Sequence, residues 1–312
     1  MRQACLLAVL TSVLLWAAPA RKGDHPFAGR WDLTVTTPAG TYPAWIEVTD
    51  QAGTPAVRIQ PRGGFVRPAT ARIENSHLIV EVSPAAEGRP AVIWELAVNG
   101  NNNQLTGAIH RAAETVGQIA GVQAPALKTK PPKAWADPEP LFNGKDLTGW
   151  EPGHPAENHW MARDGELVNE QAGSNLHTTR KFDDFKLHFE FNCPEGGNTG
   201  IYLRGRYQVQ IEYQPGGAND KLQGMGAIYG YLAPSVDLPG KPGQWEAMDI
   251  TLVGRYVTIV RNGTAILANQ EIAGITGGAL DSNEAAPGPF NLQGTFAGGI
   301  RFRNLTVAGP KK

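Results

Sequence analysis

The sequence predicts an all-β protein made of two successive β units. Three observations carry this. Segment after segment alternates apolar and polar residues, the period-two pattern of a strand with one buried face. No long stretch shows the 3.6-residue period of an amphipathic helix. Gly and Pro number 37 and 24 while only 18% of residues are charged, a balance that suits turn-rich β structure better than helices. A chain of 312 residues is long enough to build two cores. Its formal net charge of -1 gives no electrostatic reason to expect a nucleic-acid partner.

The first twenty residues form a separate element. Arg2 supplies positive charge, Leu6 to Trp16 form a short apolar run, and Ala18-Pro19-Ala20 fits a small-x-small cleavage site. Residues 1–20 therefore read as a signal peptide, and the expected location is secreted or periplasmic. The apolar run is short for a membrane span, so none is expected once the leader is removed. The chain has 2 cysteines, Cys5 and Cys193. Loss of the leader leaves Cys193 without a disulfide partner in the chain, and no base near it in sequence marks it as a reactive thiol.

Residues 25–127 read as an N-terminal β domain. Trp31-Asp32-Leu33-Thr34-Val35, Ala44 to Val48, Ala56 to Ile59, His77 to Val82, Val92 to Val98 and Leu105 to Ile109 alternate in turn, separated by Gly- and Asn-rich turns. Short strands at near-regular spacing predict a meander closed into a small barrel or sandwich. Trp31, Trp45 and Trp94 are expected in its core. No catalytic role is assigned here, and any protein partner of this domain is unknown. Residues 128–137 form a Pro-rich linker, stiffened by fixed φ angles. Residues 138–309 form the second unit, patterned on both faces as a two-sheet sandwich or jelly roll.

This second unit is organised around Phe185 to Glu212. Phe185, Leu187, Phe189 and Phe191 share one parity, and His188, Glu190 and Asn192 share the other. Ile201 and Leu203 alternate with Tyr202 and Arg204. Tyr207, Val209 and Ile211 alternate with Gln208, Gln210 and Glu212. Tight Gly-containing connections suggest hairpins. Three neighbouring strands would bring these polar side chains to one surface of carboxylates, amides, a guanidinium and a phenol. Groups of this kind bind sugars.

Several motifs of the second unit resemble a known family. Leu141-Phe142-Asn143-Gly144-Lys145-Asp146-Leu147-Thr148-Gly149-Trp150, Asn198-Thr199-Gly200-Ile201-Tyr202-Leu203-Arg204-Gly205, Gly226-Ala227-Ile228-Tyr229-Gly230, Gly243-Gln244-Trp245 and Phe302-Arg303-Asn304-Leu305 are similar, in order, to the 3-keto-disaccharide hydrolase family, catalogued as DUF1080. The resemblance implies a concanavalin A-like jelly roll and hydrolysis of 3-keto-glycosides. It does not extend to the N-terminal domain. Two positions depart from the family pattern. Members commonly have an acidic residue at the place of Gln208, and often an Asp-His-Gly run where Leu292-Gln293 is here followed by Gly294-Thr295-Phe296.

A ketone at C3 acidifies the hydrogen at C2, so the implied chemistry needs a base and a group that stabilises an enolate. Glu212 and Glu190 are the base candidates, with His188 third. Arg204 and Tyr202 are candidates for the enolate oxygen. Asn192, Asn198, Gln208 and Gln210 are candidates to position hydroxyls, and Tyr229 or Trp245 to stack on a sugar ring. Glu190 and Glu212 could also form the carboxylate pair of an ordinary glycosidase. His188, Glu190 and Glu212 are acceptable ligand types for a divalent metal, but no close spacing supports one and no cofactor is identified. The expected partner is a sugar or glycoside. The rival readings are a non-catalytic carbohydrate-binding module and a cell-surface interaction protein.

Overall fold

The computed structural model describes residues 25–311 apart from 52, 84–89, 100–102, 215–219 and 295–297. The expected leader at residues 1–20 lies outside the described residues, as does part of the Asn-rich turn after Asn99.

The alternating segments of the N-terminal half pair in sequence order. Strands β1 (Gly29–Thr37), β2 (Gly40–Gln51), β3 (Thr54–Gln60), β4 (Arg67–Glu74), β5 (His77–Val82), β6 (Val92–Asn99), β7 (Gln104–Arg111) and β8 (Glu114–Gln123) form an antiparallel meander, and β8 returns to β1. The result is a closed barrel, which removes every free edge. Trp31, Leu33, Val35, Ile46, Val48, Ile59, Val80, Trp94 and Leu96 fill its interior. Two of the strands carry no clear sequence signal. The inward positions of β4 hold the small Ala69 and Ala71, and those of β8 include Gly117 and Gly121. Gly121 is small of necessity, since a Cβ there would stand 2.5 Å from Leu33 Cδ2.

Trp45 departs from its expected place in the barrel core. It points outward from β2, donates through Nε1 to the Ile275 carbonyl at 2.8 Å, and joins the core of the second domain.

The second domain is a two-sheet sandwich. One sheet orders Trp150–Pro152, Leu176–Thr178, Asn291–Leu292, Asn198–Leu203 and Tyr207–Glu212. The other orders Trp160–Arg163, Glu166–Asn169, Ile300–Ala308, Phe185–Asn192, Trp245–Val253, Tyr256–Arg261 and Thr264–Glu271, with Glu139–Pro140 added beside Ile300–Ala308. Ile201, Leu203, Val209, Ile211 and Leu292 from the first sheet meet Phe185, Leu187, Phe189, Phe191, Ile250 and Phe302 from the second. The Asn262-Gly263 turn has both residues at positive φ, 48° and 79°, the backbone a tight hairpin demands.

Phe185–Asn192 is thus in the opposite sheet from Asn198–Leu203 and Tyr207–Glu212. The three strands are not neighbours on one sheet, and their polar faces do not converge. The Pro194-Glu195-Gly196-Gly197 connection carries the chain across the sandwich edge rather than closing a hairpin. The Pro-rich segment is also docked. Ala136 N–H donates to the Gly309 carbonyl and Lys311 N–H to the Ala134 carbonyl, both at 2.9 Å.

Polar groups join the two domains. Glu284, fully buried, accepts from Arg255 at 2.7 and 3.1 Å and from the Tyr207 hydroxyl at 2.5 Å, and Arg30 of β1 lies 3.7 Å away. Burial alone would raise Glu284, but Arg255 and Arg30 hold it below its ordinary value. Asp32 of β1 sits beside it. Burial, then the Glu284 charge, pushes Asp32 up from 3.8 to about 8. The folded state therefore keeps a proton on Asp32 that the unfolded chain has released by neutral pH. The stability tied to this proton is complete below the unfolded value and is lost as pH rises through the folded one. In urea unfolding followed from pH 5 to pH 9, the wild-type midpoint is expected to fall more steeply than that of Asp32→Asn. Parallel profiles would show that Asp32 does not carry the proton.

Candidate functional site

The five-stranded sheet turns one face to the core and the other to a polar layer. Register assigns the second face. Asn198 pairs with Glu212, Gly200 with Gln210 and Tyr202 with Gln208, so these residues share one side. Asn291 pairs with Tyr202 and with His177, and His177 with Glu151, extending the same side across the sheet.

Glu212 is the centre of this layer. Its Oε1 accepts from Asn198 Nδ2 at 2.9 Å and from Gln214 Nε2 at 2.5 Å, and its Oε2 accepts from Gln210 Nε2 at 2.8 Å. The chain continues through Gln208 Nε2, which donates to Gln210 Oε1 at 2.8 Å and to Gln293 Oε1 at 2.7 Å. Gly200 makes this possible. A Cβ there would lie 2.7 Å from Gln208 Nε2, so the bare backbone leaves the corridor through which Gln208 crosses to Gln293. The 224–230 segment pairs along the free edge of Tyr207–Glu212, with Gln210 N–H to Ala227 O at 2.9 Å and Tyr229 N–H to Gln208 O at 3.0 Å. It delivers the half-buried Tyr229, whose phenol is raised by burial and then by the charge of Glu212.

The barrel reaches this rim. Val66 N–H donates to the Gly230 carbonyl at 3.1 Å, and the Phe65 ring meets Tyr229 edge-on with centroids 5.6 Å apart.

The structure therefore gathers Glu212, Asn198, Gln208 and Gln210, with Tyr229 beside them. Tyr202 shares the face but is sealed at its other end. It is 4% exposed, its hydroxyl donates to the Gly277 carbonyl at 3.0 Å, and burial raises its phenol. The remaining candidates lie elsewhere, which corrects the expected single surface. Arg204 takes a left-handed backbone (φ 52°) in the turn after Leu203, and so leaves the strand's alternation. Its guanidinium is buried at the domain junction, donating to Tyr207 Oη at 3.0 Å and to the Gly254 carbonyl at 2.8 Å. It cannot stabilise an enolate at Glu212.

His188, Glu190, Asn192 and Trp245 lie on the outer side of the opposite sheet. His188 pairs with Asp249 at 2.8 Å. Glu190 accepts from Arg303 and Asn304, both at 2.7 Å; burial opposes ionisation there, but these partners hold its carboxyl below the ordinary value. Asn192 Nδ2 donates to the Gly243 carbonyl at 2.7 Å, and the Trp245 ring carries Arg303 at 4.0 Å. Glu190 and Glu212 are separated by the hydrophobic core, so they do not flank one glycosidic bond. Cys193 is a thiol without nucleophilic character, pushed up to about 12 by burial and then by Glu212 and Glu246.

Gln214, Gln293, His177 and Asn291 escaped the sequence reading. Asn291 is fully buried, and neither of its side-chain polar atoms has a partner among the described residues. Asn291-Leu292-Gln293 and Leu176-His177-Thr178 alternate like the other strands, but no local pattern shows that they pair beside Tyr202. Among the described residues no group of three or more His, Cys, Asp and Glu is arranged to hold a metal ion.

A barrel followed by a sandwich, with a carboxylate held among amides on one sheet face, defines an all-β two-unit protein. Residues 137–308 match the model of the 3-keto-alpha-glucoside-1,2-lyase-like domain, and the chain belongs to that family. No curated protein matches the sequence. Among solved structures, a candidate glycosyl hydrolase from Parabacteroides distasonis is 27% identical with a TM-score of 0.49, over 56% of this chain and 84% of its own. A second from the same organism is 20% identical with a TM-score of 0.46, over 56% of this chain and 94% of its own.

Gly200→Ala should break the amide chain. Forcing a methyl against Gln208 is expected to cost about 1–3 kcal/mol in chemical unfolding. An unchanged midpoint would show that Gln208 does not need that corridor.

Proposed function

We propose that this protein cleaves glycosides whose sugar bears a ketone at C3, with Glu212 as the base. The carrying observation is the Glu212 carboxylate, pinned by three amide donors within a domain of the 3-keto-alpha-glucoside-1,2-lyase-like family. In the proposed reaction Glu212 removes the C2 proton, and the C–H electron pair forms the C2–C3 double bond of an enolate with charge on the former ketone oxygen. That charge returns to rebuild the C3 carbonyl. The C1–C2 double bond then forms, and the C1–O bond breaks with its electrons leaving on the departing oxygen, which takes up a proton. Adding water across C1–C2 completes a net hydrolysis. With Arg204 and Tyr202 engaged elsewhere, the Tyr229 hydroxyl is the donor this reading assigns to the enolate. Asn198 and Gln293 would hold hydroxyls. The leader-like Arg2, Leu6 to Trp16 and Ala18-Pro19-Ala20 support a secreted or periplasmic location as part of the same proposal.

One observation favours a second reading. Four of the polar groups, Asn198, Gln208, Gln210 and Gln293, are amides, which bind hydroxyls without moving protons, so a carbohydrate-binding module would use the same face.

Turnover of a 3-keto-glucoside separates the two. Glu212→Gln is expected to lower kcat about 100- to 10,000-fold, while Glu190→Gln and His188→Ala leave it near wild type. Saturable sugar binding by a wild-type protein with no turnover would favour the binding module, and full activity in Glu212→Gln would remove Glu212 as base.

A further inference from the structure

The barrel holds a cavity that the glycoside reading does not use. It opens at one end of the barrel, beside Pro38, Ala39, Pro61 and Thr115, and measures about 1060 Å³. An eight-stranded barrel is either filled by its side chains or left with room for one small ligand, and a volume of this order is that of a small-molecule site. Its walls combine apolar surface, from Tyr42, Val82, Val92, Trp94, Ile109 and Val116, with polar groups such as Thr37 and Thr115.

The rim is cationic. Among the described residues, Arg62, Arg67 and Arg111 line it together with the acid Glu114. Arg67 occupies an inward register, because it pairs with Ile59, itself in the barrel core. Arg111 follows Ile109 at the next inward position of β7. Arg62 lies over the Tyr42 ring at 5.4 Å, and Arg67 donates to the Ser83 carbonyl. Among the described residues, none of the three is ion-paired with a carboxylate. Guanidinium groups in this state favour carboxylate, sulfate or phosphate oxygens, which they can hold with paired hydrogen bonds. The apolar part of the walls favours a hydrocarbon body.

We propose that the N-terminal barrel binds an amphipathic monoanion, with its apolar body in the cup and its acidic head on Arg67 and Arg111 at the rim. Among the described residues, neither Arg67 nor Arg111 bonds a residue of the Glu212 layer, although the β3–β4 connection borders both places.

Calorimetric titration of the whole protein with decanoate, below the concentration at which decanoate aggregates, tests this. Decanol and decyltrimethylammonium serve as neutral and cationic controls of equal chain length. Saturable 1:1 binding of decanoate is expected, with decanol weaker and the cation not bound. The double variant Arg67→Gln/Arg111→Gln should weaken decanoate about tenfold or more and leave decanol binding unchanged. Val92→Trp, which fills the cup while sparing the arginines, should abolish both. The proposal fails if decanoate does not saturate, if decanol binds equally well, or if the arginine variant binds decanoate like wild type.

Discussion

Glu284 lies fully buried where three parts of the molecule meet. Its carboxylate takes the Tyr207 hydroxyl from one sheet of the sandwich, Arg255 from the hairpin of the other, and the nearby charge of Arg30 from the barrel. A buried ion left without its partners costs several kcal/mol, so each neighbour is held in place by the need to satisfy the others. Arg255 also donates to the Pro125 carbonyl at 3.0 Å, tying the start of the interdomain segment into the same node. The barrel is therefore fixed by directional bonds as well as by the apolar plug of Trp45.

That junction shapes the polar face some distance away. The segment that carries Glu284 also carries Gly277 and Asp281, which bond Tyr202 and Arg206. Anchored at Glu284, this segment closes the Tyr202 end of the face. The opposite end, at Glu212, is bounded by the 224–230 edge and by the barrel loop that presents Phe65 and Val66. Glu212 thus lies at a rim built by both domains, although the family match covers the sandwich alone.

Much of this was legible in the residue pattern. Period two marked the strands, and parity correctly separated core from polar side within Phe185–Asn192, Asn198–Leu203 and the flanking barrel strands. It failed where other forces acted. Gln208, Gln210 and Glu212 were expected to face solvent and are instead nearly covered, because amides and a carboxylate that satisfy one another can be buried as a layer. Strands β4 and β8 went unseen because alanine and glycine occupy inward positions that a hydrophobic pattern needs to be filled. Arg204 was assigned to a strand face it does not share, since a left-handed turn residue no longer obeys alternation.

The sequence by itself determined the all-β class, the division into two units, the family motifs and the side of each strand that meets hydrocarbon, because each is a local property of side-chain order and turn chemistry. Tertiary structure decided which sheet each strand joined. That choice put His188 and Glu190 on one outer surface and Glu212 on the other, and it sent Arg204 to the domain junction. The physical reason is that strand pairing satisfies backbone hydrogen bonds between segments far apart in the chain, and no local pattern names the partner.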